Sequence, residues 1–276
     1  MQSKITGGET ELLFTAKLLS KYDVGYYRCK DTGFIQTDEP FWLQEAYSSV
    51  ITKLDVGLVL RNQNMVSKTE KIIYFNFDHS RKFLDYAGGY GLFTRMMRDK
   101  GYDFYTTDIY CQNIFAEYQD LKELPHNSKF ELVTAFEVLE HLPDPITALN
   151  EMFDLYDNVL FSTELVPKEI NVLNEWWYFS YETGQHIAFY TVEALKVIAK
   201  KFDRYFYTNN INLHLFTKQP LAADPFTEDL KRKEGFFMGK MRAKIARYDN
   251  RNNIGKVPGK PSLMLKDIED AKKRIS

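Results

Sequence analysis

A chain of 276 residues with 44% hydrophobic, 27% charged and 15% aromatic side chains, and a mean hydropathy of -0.40, can bury a sizeable core. That composition excludes a disordered or collagen-like protein. A formal net charge of -2 gives no electrostatic case for nucleic acid, and no apolar run approaches the ~20 residues needed to cross a bilayer.

Cys29 and Cys111, the two cysteines, lie in unrelated contexts and make neither a disulfide framework nor a metal quartet, which fits a reducing compartment. Met1 to Ser20 lacks both a basic start and an apolar core, so the expectation is a cytoplasmic protein, neither secreted nor membrane-spanning.

In chain order, Gly25 to Cys29 and Gly33 to Thr37 read as two strand-like pieces around a polar turn, and Pro40 to Asn62 reads as helix or loop. From Lys82 the pattern becomes an alternation. Lys82 to Tyr86 is a strand that meets a glycine cluster, and a helical stretch with Leu92, Met96 and Met97 follows. Next come strand-like Tyr102 to Thr107, helix-like Gln112 to Tyr118, strand-like Phe130 to Phe136, a helix after Pro145, and strand-like Asn158 to Ser162. Thr191 to Lys201 predicts a helix capped by Thr191, and the runs Phe202 to Tyr207 and Asn212 to Phe216 predict closing antiparallel strands. Such alternation implies an α/β fold: a Rossmann-like, doubly wound, mostly parallel sheet with an antiparallel last strand.

The expected division is an N-terminal hairpin and helical cap at 1–75, a central domain at 76–219 and a basic C-terminal extension at 220–276. From Lys231 onward, 14 Lys/Arg stand against 5 Asp/Glu, a local +9 that leaves the first 230 residues at -11. Within the extension, Pro225 to Tyr248 predicts a helix with Leu230, Phe237, Met241 and Ile245 on one face. It docks on the body through that face or binds an anionic surface or acidic substrate.

In Asp85-Tyr86-Ala87-Gly88-Gly89-Tyr90-Gly91 a strand delivers a glycine-rich turn to a helix start, where a bare backbone lets a ligand approach exposed amides. Asp108 follows at the end of the next strand, placed to accept hydrogen bonds from both hydroxyls of a ribose. The leading Asp85 would repel a pyrophosphate and welcomes a cationic ligand instead.

Leu84 to Gly91, Asp108 and Phe130 to Pro145 together resemble the class I S-adenosylmethionine-dependent methyltransferases, over about residues 75 to 215. The last stretch is similar to the ubiquinone/menaquinone-biosynthesis-like branch. Ala87 departs from that family at the first glycine of its D-x-G-x-G-x-G turn. The resemblance implies S-adenosylmethionine as cofactor, with Asp85 and Gly89 near its methionine part, Ala87 and Gly88 completing the binding turn, and Gly91 shaping the helix start. It also implies that Asp108 holds the ribose, that Asp120 and Leu121 border the adenine, and that Glu137 and Phe136 close the site; Phe136 serves equally well as ordinary core.

Glu175 to Phe179 and Glu182 to Tyr190 resemble a segment of bacterial methyltransferases associated with sugar and glycan biosynthesis. Tyr27 to Phe34 resembles a zinc-knuckle hairpin with Thr32 in place of its second cysteine, so no metal is expected there. Methyl transfer to an alcohol needs a general base, and His186 is the first choice, with His141 second; either ring could instead order its loop. Trp176, Trp177, Tyr178 and Tyr181 offer a stacking platform for a glycosyl acceptor or a hydrophobic lid. The leading function is O-methylation of a sugar or other small hydroxyl compound. The alternatives are a nicotinamide-dependent oxidoreductase using the same turn and a non-catalytic scaffold.

Overall fold

The computed structural model describes residues 1–48, 56–168, 176–227 and 257–275. Its centre is a six-stranded sheet built from β4 (Lys82–Tyr86), β5 (Asp103–Thr107), β6 (Leu132–Phe136), β7 (Asn158–Ser162), β9 (Tyr205–Thr208) and β10 (Leu213–Thr217), in the order β5-β4-β6-β7-β10-β9. The first four strands are parallel, and β10 runs antiparallel to both neighbours, as the alternation predicts.

Helices cover both faces. One apolar cluster takes α4 (Pro145–Leu155) and α5 (Val192–Lys201) against Val133, Val159 and Phe216. The other takes α2 (Leu58–Asn76) and α3 (Leu92–Asp99) against Phe83, Leu160 and Leu215. Met65, Val66, Thr69, Ile72 and Ile73 supply the buried stripe of α2 at helical spacing. Thr191 caps α5 by accepting from the Ala194 amide, and Asp144 caps α4 through Thr147.

A second, four-stranded antiparallel sheet holds β1 (Thr10–Leu18), β2 (Tyr22–Cys29), β3 (Ile35–Thr37) and β8 (Ala188–Phe189), in the order β1-β2-β3-β8. Its fourth strand comes from the segment that follows β7, so the N-terminal hairpin and the central domain are interlocked through Ile35 opposite Phe189 and Gln36 opposite Ala188. A short helix α1 (Leu43–Ala46) leads out of this sheet. No helix among the described residues is long and apolar enough to cross a membrane.

One expected element is absent. Gln112 to Tyr118 is irregular, because the Asn113 side chain takes the backbone's partners: its amide donates to the Ala116 carbonyl at 2.6 Å and its oxygen accepts from the Ala116 N–H at 2.9 Å. The Ile114 and Phe115 amides turn to the Tyr90 carbonyl, and Tyr118 adopts a left-handed φ of 65°.

The predicted helix at Pro225 to Tyr248 falls mostly outside the described residues, with its face residues Leu230, Phe237, Met241 and Ile245. The described end of the extension carries α6 (Met264–Ile275) and docks through an acid, although the segment as a whole is basic. Asp267 accepts from the Arg98 guanidinium at 2.6 and 2.8 Å and from Arg95 at 2.9 Å, while Arg98, 2% exposed, also reaches Asp103 and the Phe104 carbonyl. Arg274 pairs with Glu123. Removing one partner of a buried guanidinium strands part of its charge. Asp267→Ala is therefore expected to lower unfolding stability by about 2–3 kcal/mol, less than a lone pair because Asp103 remains; urea midpoints at constant m-value check this.

Candidate active site

The carboxyl ends of β4, β5, β6 and β7 lie side by side at one edge of the parallel sheet, where open sheets of this kind form their ligand crevice. At β4 the chain bends sharply: Ala87, Gly89 and Gly91 all take left-handed φ values, of 53°, 58° and 81°. Alanine tolerates that region at a cost of about 1–2 kcal/mol, so the turn keeps its glycine-like shape despite the substitution. Gly88 is obligatory for space, since a Cβ there would lie 2.4 Å from both Asp85 Oδ2 and Thr106 Oγ1; one at Gly91 would lie 2.2 Å from Asn113 Oδ1.

Asp85 sits beneath this turn rather than on its surface. The carboxyl is 3% exposed and accepts from the hydroxyls of Thr134 at 2.8 Å and Thr94 at 3.4 Å. Burial pushes its pKa up to about 7 against those two hydrogen bonds, and the charge of Asp108 adds to the rise. Asp108 joins the two strand ends: Oδ2 accepts from the Gly89 amide at 2.9 Å and Oδ1 from the Tyr110 and Cys111 amides at 2.7 Å each. A carboxylate oxygen can accept twice, so Oδ2 keeps a lone pair for a ribose hydroxyl. Asp120 pairs with Thr106 in an isolated bridge, all that exists of a third strand, and receives the Asn113 amide at 3.2 Å; Leu121 begins a 3-10 turn.

At β6, Glu137 also takes a left-handed φ, of 53°. The Ser162 hydroxyl donates to it at 2.5 Å, the Tyr178 hydroxyl at 3.3 Å, and its own amide donates to Ser162 Oγ. Phe136 packs edge-on against Phe93 at 5.0 Å and belongs to the partly buried rim of the α2/α3 core.

The next turn, Leu139–His141, is pinned to the Gln185–Tyr190 segment. Ile187 N–H donates to the Glu140 carbonyl at 2.9 Å, the Tyr190 hydroxyl to the Leu139 carbonyl at 2.9 Å, and His141 Nδ1 to the Gln185 carbonyl at 3.0 Å. His186 Nδ1 donates to the Tyr178 carbonyl at 2.7 Å. A carbonyl only accepts, so both rings carry their proton on Nδ1 and present an Nε2 lone pair. The two rings stand 4.9 Å apart, edge to face. Burial lowers the His141 pKa to about 4 against the bond to Gln185. It lowers that of His186 to about 3, with His141 and then Arg61 adding to the fall.

Glu140 was not singled out by sequence. Its carboxyl is fully buried and, among the described residues, neither oxygen has a hydrogen-bond partner of good geometry, although Tyr178 and Thr163 hydroxyls lie near. Burial, followed by the charge of Glu137, raises its pKa well above the carboxylate range. Tyr47, at the end of α1, stacks on Tyr110 at 5.3 Å and approaches His141 at 6.1 Å, so it reaches the crevice from the N-terminal side.

The expected aromatic platform divides. Tyr178, 1% exposed, is core; Trp176 and Tyr181 pack on Phe179 within the cluster of the four-stranded sheet; Trp177, 72% exposed, keeps an open face. Strand β2 places Cys29 in a buried position beside the Thr6 hydroxyl, at 3.5 Å.

A model of the methyltransferase-domain family matches residues 61–204. No curated protein sequence matches the chain. Among solved structures, it is similar to an O-methyltransferase family 2 protein from Planctomyces limnophilus DSM 3776 in complex with apigenin, at 14% identity over 60% of this chain and 61% of that one, with a TM-score of 0.46. It is similar also to the plantazolicin methyltransferase BpumL in complex with a monoazolic desmethylPZN analog and SAH, at 10% identity over 64% and 93% of the two chains and a TM-score of 0.42. A third is the 1,6-didemethyltoxoflavin-N1-methyltransferase of Burkholderia thailandensis with 1,6-didemethyltoxoflavin and S-adenosylhomocysteine bound, at 13% identity over 64% and 88% and a TM-score of 0.41. The chain spans about three fifths of the length of the first of these. With more than half of its residues matched, the chain belongs to the methyltransferase-domain family, among the class I S-adenosylmethionine-dependent methyltransferases that its glycine turn and acidic partner resemble.

Proposed function

We propose that this chain methylates a hydroxyl of a small-molecule acceptor, with a glycosyl compound as the preferred class, in the cytoplasm. The observation that carries this reading is the junction of strand ends at which Asp108 clasps the Gly89 amide while Glu137 and the Leu139–His141 turn stand opposite. S-adenosylmethionine, when bound, supplies an activated methyl group on a positively charged sulfur. The residues present fit it: a turn cleared of side chains at Gly88 and Gly89, a fixed carboxylate for a ribose, and acids rather than cations around the place of the sulfur. The same acids disfavour the diphosphate of a nicotinamide cofactor.

The chain's own work is alignment and exclusion of water, worth up to ~7–11 kcal/mol in such displacements. His186, with His141 second, is placed to receive a hydroxyl proton on Nε2. Groups that protonate only near pH 3–4 are weak bases for an ordinary alcohol, so an acceptor hydroxyl needs polarisation from elsewhere in the site. Trp177 provides the exposed ring for the acceptor.

Replacing Asp108 by Asn keeps shape, removes charge and turns one accepting oxygen into a donor that faces a backbone N–H, so Asp108→Asn is expected to weaken S-adenosylhomocysteine binding about 10–100-fold and to lower the melting temperature by a few degrees. Calorimetric titration reads it, and unaltered affinity would contradict the ribose assignment. Trp177→Ala is expected to raise KM for a nucleotide-linked or free glycosyl acceptor about 3–10-fold while leaving kcat within about twofold; steady-state kinetics on a sugar panel measures both.

Asp85 generates a pH dependence. Unfolded, it loses its proton near pH ~4; folded, it keeps it to about 7, so the folded state holds more protons across that window. Its contribution to stability is therefore present below pH ~4 and is lost as pH rises to about 7, by at most about 4 kcal/mol. His141 and His186, whose folded pKa values are lowered, act in the opposite sense over the same window, so the Asp85 share is read by difference: between pH 5 and 7.5 the urea midpoint of Asp85→Asn should shift upward relative to that of the unsubstituted chain.

A further inference from the structure

We propose that Glu140, His141 and His186 form a binding site for a divalent first-row transition-metal ion beside the methyl-transfer crevice. One ligand atom from each residue lies within 4.8 Å of the other two. Around a metal bound at ~2.0–2.2 Å such atoms stand roughly 3–3.5 Å apart, so side-chain rotations of about an ångström gather them.

Three features separate this cluster from a chance meeting of polar side chains. Both imidazoles have Nδ1 committed to a backbone carbonyl, Gln185 for one and Tyr178 for the other. Outer bonds of that kind orient metal-binding histidines and leave Nε2 for the ion. Glu140 is fully buried and, among the described residues, neither of its oxygens makes a hydrogen bond of good geometry, with the Tyr178 and Thr163 hydroxyls near it. An unpaired buried carboxyl is costly, and a cation is the partner that would satisfy it. Finally, the two halves of the cluster are locked in register by Ile187 N–H on the Glu140 carbonyl and Tyr190 on that of Leu139. Glu137, within range to act on Glu140 electrostatically, adds negative charge, whereas Arg61 opposes it from the side of His186.

Two neutral nitrogens and one carboxylate suit zinc, manganese or iron(II) better than magnesium or calcium, which prefer all-oxygen sites. Three protein ligands also leave coordination positions open, the arrangement of catalytic rather than structural sites. The use of those positions rests on the O-methyltransferase reading. An acceptor hydroxyl coordinated there becomes more acidic and loses its proton to water. Its oxygen then forms the bond to the methyl carbon, and the carbon–sulfur bond breaks with its electron pair left on the sulfur. With both Nε2 atoms on the ion, the histidines act as ligands in place of the base, and the ion supplies the polarisation that such weak bases do not.

The test is direct binding. The 276-residue chain, stripped with a chelator and dialysed, is titrated calorimetrically with zinc and separately with manganese, and its retained metal is counted by elemental analysis. The expected result is one ion per chain with micromolar or tighter affinity. Glu140→Gln and His186→Asn are each expected to weaken it at least tenfold, with an unaltered thermal melt in the absence of metal and unaltered affinity for S-adenosylhomocysteine. No saturable binding, or binding that both variants retain, overturns the site. Should Glu140→Gln fail to fold, His186→Asn and His141→Asn carry the same comparison. Stoichiometric metal binding by a chain with no affinity for S-adenosylhomocysteine supports the site and removes its role in methyl transfer; the converse result removes the site and leaves the methyltransferase reading intact.

Discussion

Three hydrogen bonds that fasten Leu139–His141 to Gln185–Tyr190 determine what this crevice can be. The two segments are more than forty residues apart, and each bond satisfies a backbone carbonyl that burial would otherwise strand. Because one of the donors is the His141 ring itself, the clip fixes a side chain as well as a backbone. It also brings His186 to within an edge-to-face contact of that ring. The four-stranded sheet extends the constraint: β8 starts two residues after His186 and pairs with β3, so the register of the N-terminal hairpin reaches the crevice through Phe189 and Ile35. Hairpin, loop and central sheet are thus mechanically one unit at the proposed site.

Strain gathers at the same strand ends. Ala87 after β4 and Glu137 after β6 are both non-glycine residues in left-handed conformation, each costing of order 1–2 kcal/mol. Glu137 is held there by Ser162 on β7 and by Tyr178, so the strain is balanced by hydrogen bonds from elements on either side. Such arrangements survive where the surrounding structure over-determines them, and here they aim an acid and a bare peptide bend at a common space.

Much of this was legible in the chain. Lys82–Tyr86 and Asn158–Ser162 are short apolar runs bounded by turn residues, and the strands have those same limits. The Thr191 cap and the antiparallel closing strands could likewise be read from local chemistry. What escaped depends on contacts distant in sequence or on one competing side chain. Strand β1 hides its period because a register shift between Leu12 and Phe14 breaks the alternation. Asn113 dismantles an otherwise helical pattern. Four of the five rings from Trp176 to Tyr181 are claimed by a sheet whose partners lie more than a hundred residues earlier, which no local pattern announces. Glu140 reads as an ordinary solvated acid between Leu139 and His141. Its burial follows only from the clip that folds Ile187 and Tyr190 over it.

Electrostatics connects these details to ligand choice. Asp85, Asp108, Glu137 and Glu140 stand on neighbouring strand ends; burial, and after it the charge of a neighbouring acid, pushes Asp85 and Glu140 toward their protonated forms. An anionic ligand would add to that repulsion. A cation relieves it most directly at Glu140, whose oxygens make no hydrogen bond of good geometry among the described residues, whereas Asp85 already accepts from Thr134 and Thr94. A positively charged sulfur nucleoside, or a metal ion beside it, would set a positive charge among these acids, whereas a diphosphate would set a negative one.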